Sequence, residues 1–234
     1  MSYSFYEVYI TAQRAFTAMG FPYGSDEDAA FIIAWLELNK FQGVFLLSNL
    51  IQELDNKYDG RIDIKNFNKK IDFHNKSILM KGAGLIDFMN SHIKNKNKIS
   101  VKIINCKDGI FFLPLLYKRS YNSNSSKLTF CDTSNEIRNY EIINNNIIFN
   151  RKKNNDSYKK NTVSITMDIN MQDSSNINKN KIISGKKIQK NLSRSLLPHS
   201  KSWNIIAKIA NKTFVPESDE SRLKGAGGGG DDND

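Results

Sequence analysis

Between residues 101 and 169 the sequence divides into short apolar runs separated by polar turns, and this pattern allows only a few kinds of fold. The runs are 101–104, 110–117, 127–131, 140–143, 147–149 and 163–169. Runs of this length, bounded by turn-forming residues, are typical of β-strands. The triplet 144–146 is all Asn and suits a tight turn between two of them. We therefore expect a largely antiparallel sheet of short strands.

Helical patterns precede these runs. Ser4 and Glu7 have the spacing of a capping box, and apolar residues then recur every three or four positions up to Met19. Gly20 suits the left-handed residue that ends such a helix. A second helix is predicted to begin after Ser25 as its N-cap, because three acidic residues follow and favour a helix N-terminus.

The remaining elements complete the predicted fold class. A third apolar segment follows Gly43 and extends to about residue 54, and Ser202 is a candidate cap for a final helix with a buried face at Trp203 and Ile206. The order helices, strands, helix predicts an α+β fold. We expect one domain, 1–234, in three parts. These are a helical part (1–55), strands and polar loops (56–200), and a helix with a Gly/Asp tail (201–234).

The net charge of +10 does not by itself indicate a nucleic-acid partner. Asn (29), Ile (28) and Lys (27) are abundant, as expected when coding sequence is rich in A and T, whereas Arg, the better reader of phosphates, occurs seven times. The acidic segments 1–55 and 217–234 flank a basic middle. No long apolar run or secretory leader is present, so we expect a cytoplasmic protein with neither a membrane nor a nucleic acid as its partner.

The last 18 residues hold the candidate binding motif. Two hydroxyls, one guanidinium and close-approaching glycine backbone are candidate contacts for an anion. They are Ser218, Ser221, Arg222, Gly225 and Gly227. Three carboxylates are hard oxygen donors suited to a divalent metal such as Mg²⁺ or Ca²⁺. They are Asp231, Asp232 and Asp234. The alternative is a flexible, solubilising tail.

Other chemical signals are weak. Cys106 lies beside Lys107, and a neighbouring lysine can lower the pKa of a thiol, but we interpret Cys106 as a small core residue. Three scattered histidines, His74, His92 and His199, are expected at the surface. The sequence contains no dinucleotide fingerprint, no paired Cys-x-x-Cys and no zinc-protease motif, and no cofactor is evident.

Both ends of the chain resemble an uncharacterised bacterial family of similar length that is classed as a domain of unknown function. The N-terminal residues that match are Glu7-Val8, Arg14-Ala15, Gly20, Gly24, Glu27-Asp28-Ala29 and Trp35-Leu36-Glu37. The C-terminal ones are Trp203, Thr213 to Arg222, Gly225 to Gly229 and Asp232-Asn233-Asp234. Glu217 and Gly228 depart from the family pattern. The resemblance implies no particular activity, but it implies that the tail belongs to the protein.

A second resemblance covers residues 14–62 and is to the malate/L-lactate dehydrogenase family that lacks a Rossmann fold. It rests on the segments 20–29, Trp35-Leu36-Glu37, Gly43-Val44 and Gly60-Arg61-Ile62. That family continues its Gly-Val with Asp-Ser-His-Gly, and the resemblance assigns the catalytic role to this His. The present chain has Phe45-Leu46-Leu47-Ser48 there, so the catalytic position falls on Leu47.

Two functional hypotheses follow. The first is a bacterial protein of small-molecule metabolism that binds an anionic metabolite, with Arg222 as the anion clamp and the tail glycines as a cradle. The second is a non-catalytic accessory subunit whose tail docks into a partner enzyme. The first hypothesis leaves open whether the chain catalyses a reaction.

Overall fold

A computed structural model of the protein describes residues 1–65, 67, 70–119, 125–155, 158–169 and 181–214. The chain opens with α1 (Phe5–Ala18), α2 (Ser25–Leu38) and α3 (Gly43–Leu54). The later helices are α4 (Ile78–Lys96), α5 (Phe112–Arg119), α6 (Gly185–Asn191) and α7 (Ser200–Ala210). Short 3-10 turns at Gly109–Phe111 and Asn211–Thr213 precede α5 and follow α7.

The strands form one mixed sheet. They are β1 (Ile71–Asp72), β2 (Lys98–Ile104), β3 (Ser125–Cys131), β4 (Glu136–Ile143), β5 (Asn146–Lys153), β6 (Val163–Asp168) and β7 (Lys181–Ile183). Their spatial order is β1-β2-β6-β3-β4-β5-β7. Only the β1–β2 pair is parallel among the described strands, which confirms the expected α+β class with a mostly antiparallel sheet.

The predicted capping box is confirmed. The Glu7 backbone N–H donates to Ser4 Oγ at 3.1 Å, and the Ser4 N–H donates to the Glu7 carboxylate at 2.6 Å. The Asn hairpin is also confirmed, because Asn144 and Asn145 join β4 to β5 with φ of 48° and 62°. This left-handed pair matches the twist of a two-residue hairpin.

The predicted N-cap Ser25 is wrong by one residue. Gly24 occupies the cap position at φ 84°, where its lack of a Cβ removes the steric cost. The Ser25 hydroxyl instead hydrogen-bonds the Tyr58 hydroxyl at 2.8 Å. Ser202 is likewise not the cap of α7, since His199 holds that position and Ser202 lies within the first turn.

The run 110–117 is not a strand. It forms the end of a 3-10 turn and then α5, whose apolar side chains are buried on almost every side. A helix buried all round carries no polar stripe, so its sequence has the same appearance as a buried strand. Pro114 falls in the first turn of α5, where a missing backbone N–H costs no helical hydrogen bond.

The middle third also contains a helix that the pattern did not predict. Residues 78–96 form α4, with Ser77 Oγ accepting the Leu79 N–H at 3.2 Å as its cap. Gly82 and Gly84 interrupt the helical pattern, and their low helix propensity conceals the element. The close packing of the Gly82 position against Leu115 and Phe112 explains the absence of a side chain there.

The core lies between one face of the sheet and the helices. α2 is buried on most sides against α1, α3, α4 and α5, while α4 and α5 contact the sheet at β2, β3 and β4. The opposite sheet face carries polar pairs such as Ser100–Thr166 and Thr129–Asn139. In the part of the chain that the structure describes, no helix combines the length and apolar character needed to cross a membrane.

The α2–α3 connection requires a glycine. A Cβ on Gly43 would lie 2.2 Å from the Ile33 carbonyl oxygen, so Gly43→Ala must push the two helices apart. We expect this change to lower the free energy of unfolding by about 1–3 kcal/mol, the usual cost of overpacking. Urea denaturation of the two proteins measures the difference.

Gly84→Ala is the matched control. This glycine lies inside α4, is exposed, and an added Cβ would meet only the Ile62 side chain at 3.7 Å. Alanine should therefore stabilise the protein by roughly 0.5–1 kcal/mol through helix propensity. Equal effects of the two substitutions would contradict the close approach described for Gly43.

Candidate functional site

A cleft of about 600 Å³ opens at one end of the sheet, beside the α2–α3 connection. Its walls come from Phe41 and Leu46, from the segment 106–110, and from β3, β4 and β5. The segment 160–162, just before β6, lines another side. The cleft is thus assembled from four separate parts of the chain.

Aromatic rings form one wall of the cleft. Phe130 and Tyr140 are parallel within 12° with centroids 6.0 Å apart, and Tyr140 and Phe149 are parallel within 21° at 5.8 Å. Phe41 meets Tyr140 edge-on, at 6.2 Å and 70°. These side chains lie on one face because Tyr140 pairs with Phe149 across β4 and β5, and Phe130 lies on the adjacent strand β3.

Tyr140 keeps its proton at neutral pH. Burial raises the pKa of Tyr140 to about 12, with the nearby Arg138 lowering it and Asp132 raising it. A protonated phenol can donate a hydrogen bond to an acceptor in the cleft. The wall is therefore apolar with one donor in its centre.

Arg138 marks the polar end of the wall. Its Nε donates to the Asp132 carboxylate at 2.6 Å, and its terminal nitrogen lies 3.0 Å from the Glu136 carboxylate. Asp132 is held in turn by the backbone N–H groups of Ser134 and Glu136, at 3.0 and 2.9 Å. Charge-assisted contacts of this kind fix the guanidinium in position.

Two lysines lie at the cleft. Lys107 is 3.4 Å from the Glu53 carboxylate, an exposed pair of small energetic value. Lys160 is exposed and makes no ion pair within the described residues. Lys160 is therefore the cation of this cleft that is most available to an incoming anion.

The turn before α5 brings a carboxyl group to the cleft. Asp108 has φ 54°, and the next residue, Gly109, would place a Cβ 2.5 Å from the Phe130 ring. Burial raises the pKa of the Asp108 carboxyl above its ordinary value, the Glu53 charge adds to this, and Lys107 opposes it. Asp108 is thus easier to protonate than an exposed aspartate.

The two cysteines at the cleft differ in their surroundings. Cys106 is buried, and burial raises the pKa of its thiol far above the usual range, so the core interpretation is confirmed and a reactive thiolate is not supported. Cys131 is half-buried, within 3.6 Å of the Asn135 amide oxygen and 3.5 Å of the Asn154 amide nitrogen.

The residues predicted from the tail lie outside the described part of the chain. This holds for Ser218, Ser221, Arg222, Gly225 and Gly227, and for Asp231, Asp232 and Asp234. Their roles stay predictions. In the part that is described, no three His, Cys, Asp or Glu side chains form a group able to hold a metal ion.

The three histidines do not form a site. His74 and His199 are exposed as expected, whereas His92 is half-buried against Phe88, with ring centroids 4.1 Å apart. His199 Nδ1 lies 3.2 Å from Ser202 Oγ at the start of α7. Each histidine thus has a local structural contact.

Residues 3–81 match the model of a family described as "Protein of unknown function (DUF3726)". The match covers the N-terminal pattern quoted above, in agreement with the first resemblance, and it does not extend to the tail. No curated protein sequence matches the chain significantly.

Three solved structures with a similar fold are described as dehydrogenases. An E. coli protein provisionally described as a malate/lactate dehydrogenase is 7% identical, with a TM-score of 0.63 over 93% of this chain and 96% of that one. The sulfolactate dehydrogenase from Methanocaldococcus jannaschii is 10% identical, with a TM-score of 0.60 over 91% of this chain and 97% of that one. A dehydrogenase from Sinorhizobium meliloti is 8% identical, with a TM-score of 0.62 over 90% of this chain and 99% of that one. The second resemblance is therefore supported at the level of the fold.

The structure shows what replaces the catalytic segment of that resemblance. Leu47 is fully buried within α3, and a hydrocarbon side chain has no proton to transfer. Its neighbour Leu46 lines the cleft. In this chain the segment lies beside the cleft and supplies apolar surface there.

Sequence reasoning missed the cleft, although part of its signal was present. Tyr140 and Phe149 lie symmetrically about the turn Asn144-Asn145, each four residues from it, so hairpin pairing alone would have placed them opposite each other. The contributions of Phe41 and of the segment 106–110 carried no comparable signal, because they depend on how helices pack on the sheet.

The raised pKa of Asp108 leads to a pH prediction. When folding raises the pKa of an acid, the folded protein becomes less stable as the pH rises from the ordinary pKa of the acid, here 3.8, through the raised pKa. Asp108→Asn removes the ionisation, and Asn tolerates the left-handed backbone. We expect the variant to gain stability relative to the natural protein as pH rises through this window, measured by urea unfolding from about pH 4 to pH 7.

Asp72→Asn provides a control of opposite sign. The His74 backbone N–H lowers the pKa of Asp72, so its contribution to stability is present above pH 3.8 and is lost as pH falls below it. This variant should therefore be less stable than the natural protein at neutral pH. The same pH trend in both variants would contradict the environment described for Asp108.

Proposed function

We propose that this chain binds a small anionic metabolite with a planar apolar part, and that it does so in the cleft beside Tyr140. The observation that carries this proposal is the side-by-side placement of a three-ring aromatic wall and a set of cationic side chains. A site of about 600 Å³ with apolar walls and a few polar groups is of the size and type that holds metabolites.

The aromatic wall favours a planar group. Phe130 and Tyr140 are each 5% exposed and Phe149 is half-buried, so Phe149 offers most of the ring surface of this wall, which a planar ligand can stack on or meet edge-on. The Tyr140 phenol, which stays protonated, supplies a hydrogen-bond donor in the same wall. A ligand without an apolar face would leave this wall exposed to water.

The cations favour a negative group on the same ligand. Lys160 stands at the cleft without an ion pair in the part of the chain that is described, and Arg138 is fixed at its polar end. The names of two structural neighbours mention malate and sulfolactate, which are small anions. This agreement supports anion binding for the present fold.

The proposed role is binding, without hydride transfer by the family's histidine. Leu47 occupies that position and is buried. A fold can keep a ligand cleft while the chemistry in it changes or is lost, because function depends on the site and not on the fold. We place this binding in cytoplasmic small-molecule metabolism.

The C-terminal motif forms the second part of the proposal. Arg222 would clamp an anion, Ser218 and Ser221 would donate hydroxyls, and the backbone at Gly225 and Gly227 would approach the ligand. Asp231, Asp232 and Asp234 would hold a divalent cation. Glycine is retained there although its codons are G-rich in an otherwise A/T-biased chain, which supports a role for the backbone itself.

The accessory-subunit hypothesis is the alternative for the tail. The described chain ends at Phe214, whose exposed ring lies under the Arg14 guanidinium of α1 at 4.6 Å. From this point the tail could engage either its own protein or a partner enzyme. The tail variants below separate these two hypotheses.

The cleft proposal is tested with benzoate, which combines a planar ring and one negative charge. Lys160→Glu reverses the available cation and should weaken benzoate binding by about tenfold, the value of one charge-assisted contact. Lys102→Glu is the control, because Lys102 is exposed on the opposite face of the sheet and changes the net charge equally. Titration calorimetry measures both.

Two results would contradict this proposal. One is a natural protein that shows no saturable benzoate binding. The other is an equal loss of affinity in the Lys160 and Lys102 variants, which would assign the effect to overall charge.

The tail proposal is tested with Arg222→Ala and with a deletion of residues 225–234. We expect each to reduce benzoate affinity, or to lower the free energy of unfolding by more than about 2 kcal/mol if Arg222 forms a buried ion pair. Arg194→Ala is the matched control, because Arg194 is exposed and does not line the cleft. Unchanged binding and unchanged stability in both tail variants would reject the intramolecular site and favour docking into a partner.

A further inference from the structure

A second groove, of about 310 Å³, continues the cleft across the sheet. It is lined by Arg138, Phe149, Asn150, Arg151 and Lys181. Arg138 and Phe149 also line the aromatic cleft, so the two spaces share a wall. The groove and the cleft are therefore neighbours on the same sheet, with Arg138 and Phe149 between them.

Strand register gathers the cations of this groove around Phe149. Arg138 on β4 is the direct partner of Arg151 on β5, and Phe149 is the direct partner of Lys181 on β7. Phe149 and Arg151 are two residues apart on one strand and so lie on the same face. Three neighbouring strands thus each place one cation on one face.

Glu136 organises the two arginines without cancelling the positive charge of the group. Its carboxylate lies 3.0 Å from Arg138 and 3.6 Å from Arg151, and Asp132 makes the other contact to Arg138. Lys181 has no ion pair among the residues that the structure describes. In the groove three cations face two carboxylates, and the adjoining cleft adds Lys107, Lys160 and the Asp108 carboxyl.

The arrangement suits a phosphoryl group better than a carboxylate. One carboxylate has two oxygens and is satisfied by a single guanidinium in bidentate geometry. A phosphoryl dianion has three terminal oxygens and twice the charge, and it is the group that several Arg and Lys side chains together recognise. Arg138, Arg151 and Lys181 provide this multiplicity on one side of an aromatic ring.

We propose that the ligand is a planar ring compound that carries a phosphoryl group. Its ring lies against the Tyr140 wall, and its phosphoryl group lies among Arg138, Arg151 and Lys181. This inference rests on the proposed function, since it names the class of anionic metabolite that the cleft binds.

The test uses the full chain and three probes: phenyl phosphate, benzoate and inorganic phosphate. Phenyl phosphate should bind at least about tenfold more tightly than either other probe, because only it combines a ring for the aromatic wall with a phosphoryl group for the cations. Arg151→Gln should reduce phenyl phosphate affinity at least about fivefold and leave benzoate affinity unchanged. The Arg151 side chain is 62% exposed, so the variant is expected to fold.

Lys181→Gln and Lys102→Gln complete the set. Lys181→Gln removes a cation that is not shared with Glu136, so a loss of phenyl phosphate affinity there cannot come from a disturbed ion-pair network. Lys102→Gln, on the opposite face of the sheet, should leave the affinity of every probe unchanged.

The outcomes separate this inference from the proposed function. In one contradicting result, benzoate binds but phenyl phosphate binds no more tightly; in another, benzoate binds but Arg151→Gln and Lys181→Gln have no effect on phenyl phosphate. Either result would contradict the inferred phosphoryl group and leave the cleft proposal standing. If inorganic phosphate binds as tightly as phenyl phosphate, the inference that the ligand carries a ring is wrong. A single-stranded oligonucleotide that binds more tightly than phenyl phosphate at about 150 mM salt would assign the groove to nucleic acid and overturn the inference.

Discussion

The antiparallel register of β3, β4 and β5 places Phe130, Tyr140 and Phe149 side by side and sets Arg138 opposite Arg151. A slip of one residue would turn all of these side chains to the other face of the sheet. The two-residue Asn turn between β4 and β5 fixes the register, because both residues adopt the left-handed backbone that such a hairpin needs. The aromatic wall and the cationic groove both depend on this local constraint.

The sequence was sufficient to predict those elements whose structure is decided by hydrogen bonds and backbone preferences within a few residues. The Ser4–Glu7 capping box and the 144–146 turn are confirmed, since each is decided within a few residues. α4 was missed because Gly82 and Gly84 lower its helix propensity, and only Gly82 serves packing against α5. α5 itself was assigned as a strand because its environment is apolar on almost every side. In both cases tertiary packing overrides the local pattern.

The candidate site was harder to predict than the fold. Its ring wall follows from hairpin pairing, but Phe41 and the segment 106–110 reach it only because the α2–α3 connection and α5 pack beside the sheet. The tail could be singled out because its composition is unusual. The cleft could not, because Phe, Tyr and Ile at alternating positions are also what an ordinary core requires. Sequence composition reports unusual residues, whereas a cleft is made by ordinary residues in a particular arrangement.

The fold is that of proteins described as dehydrogenases, yet the segment beside the cleft supplies Leu46 and the buried Leu47 in place of polar residues. The proposed function is therefore ligand binding in the cleft, without hydride transfer by a histidine at this position. An NMR titration of the ¹⁵N-labelled full chain with benzoate tests this most directly. The predicted result is saturable shifts confined to the segments that line the cleft, which are 41–46, 106–110, 130–149 and 160–162. Shifts confined to the polar sheet face around Ser100 and Thr166, or the absence of any saturable shift, would contradict it.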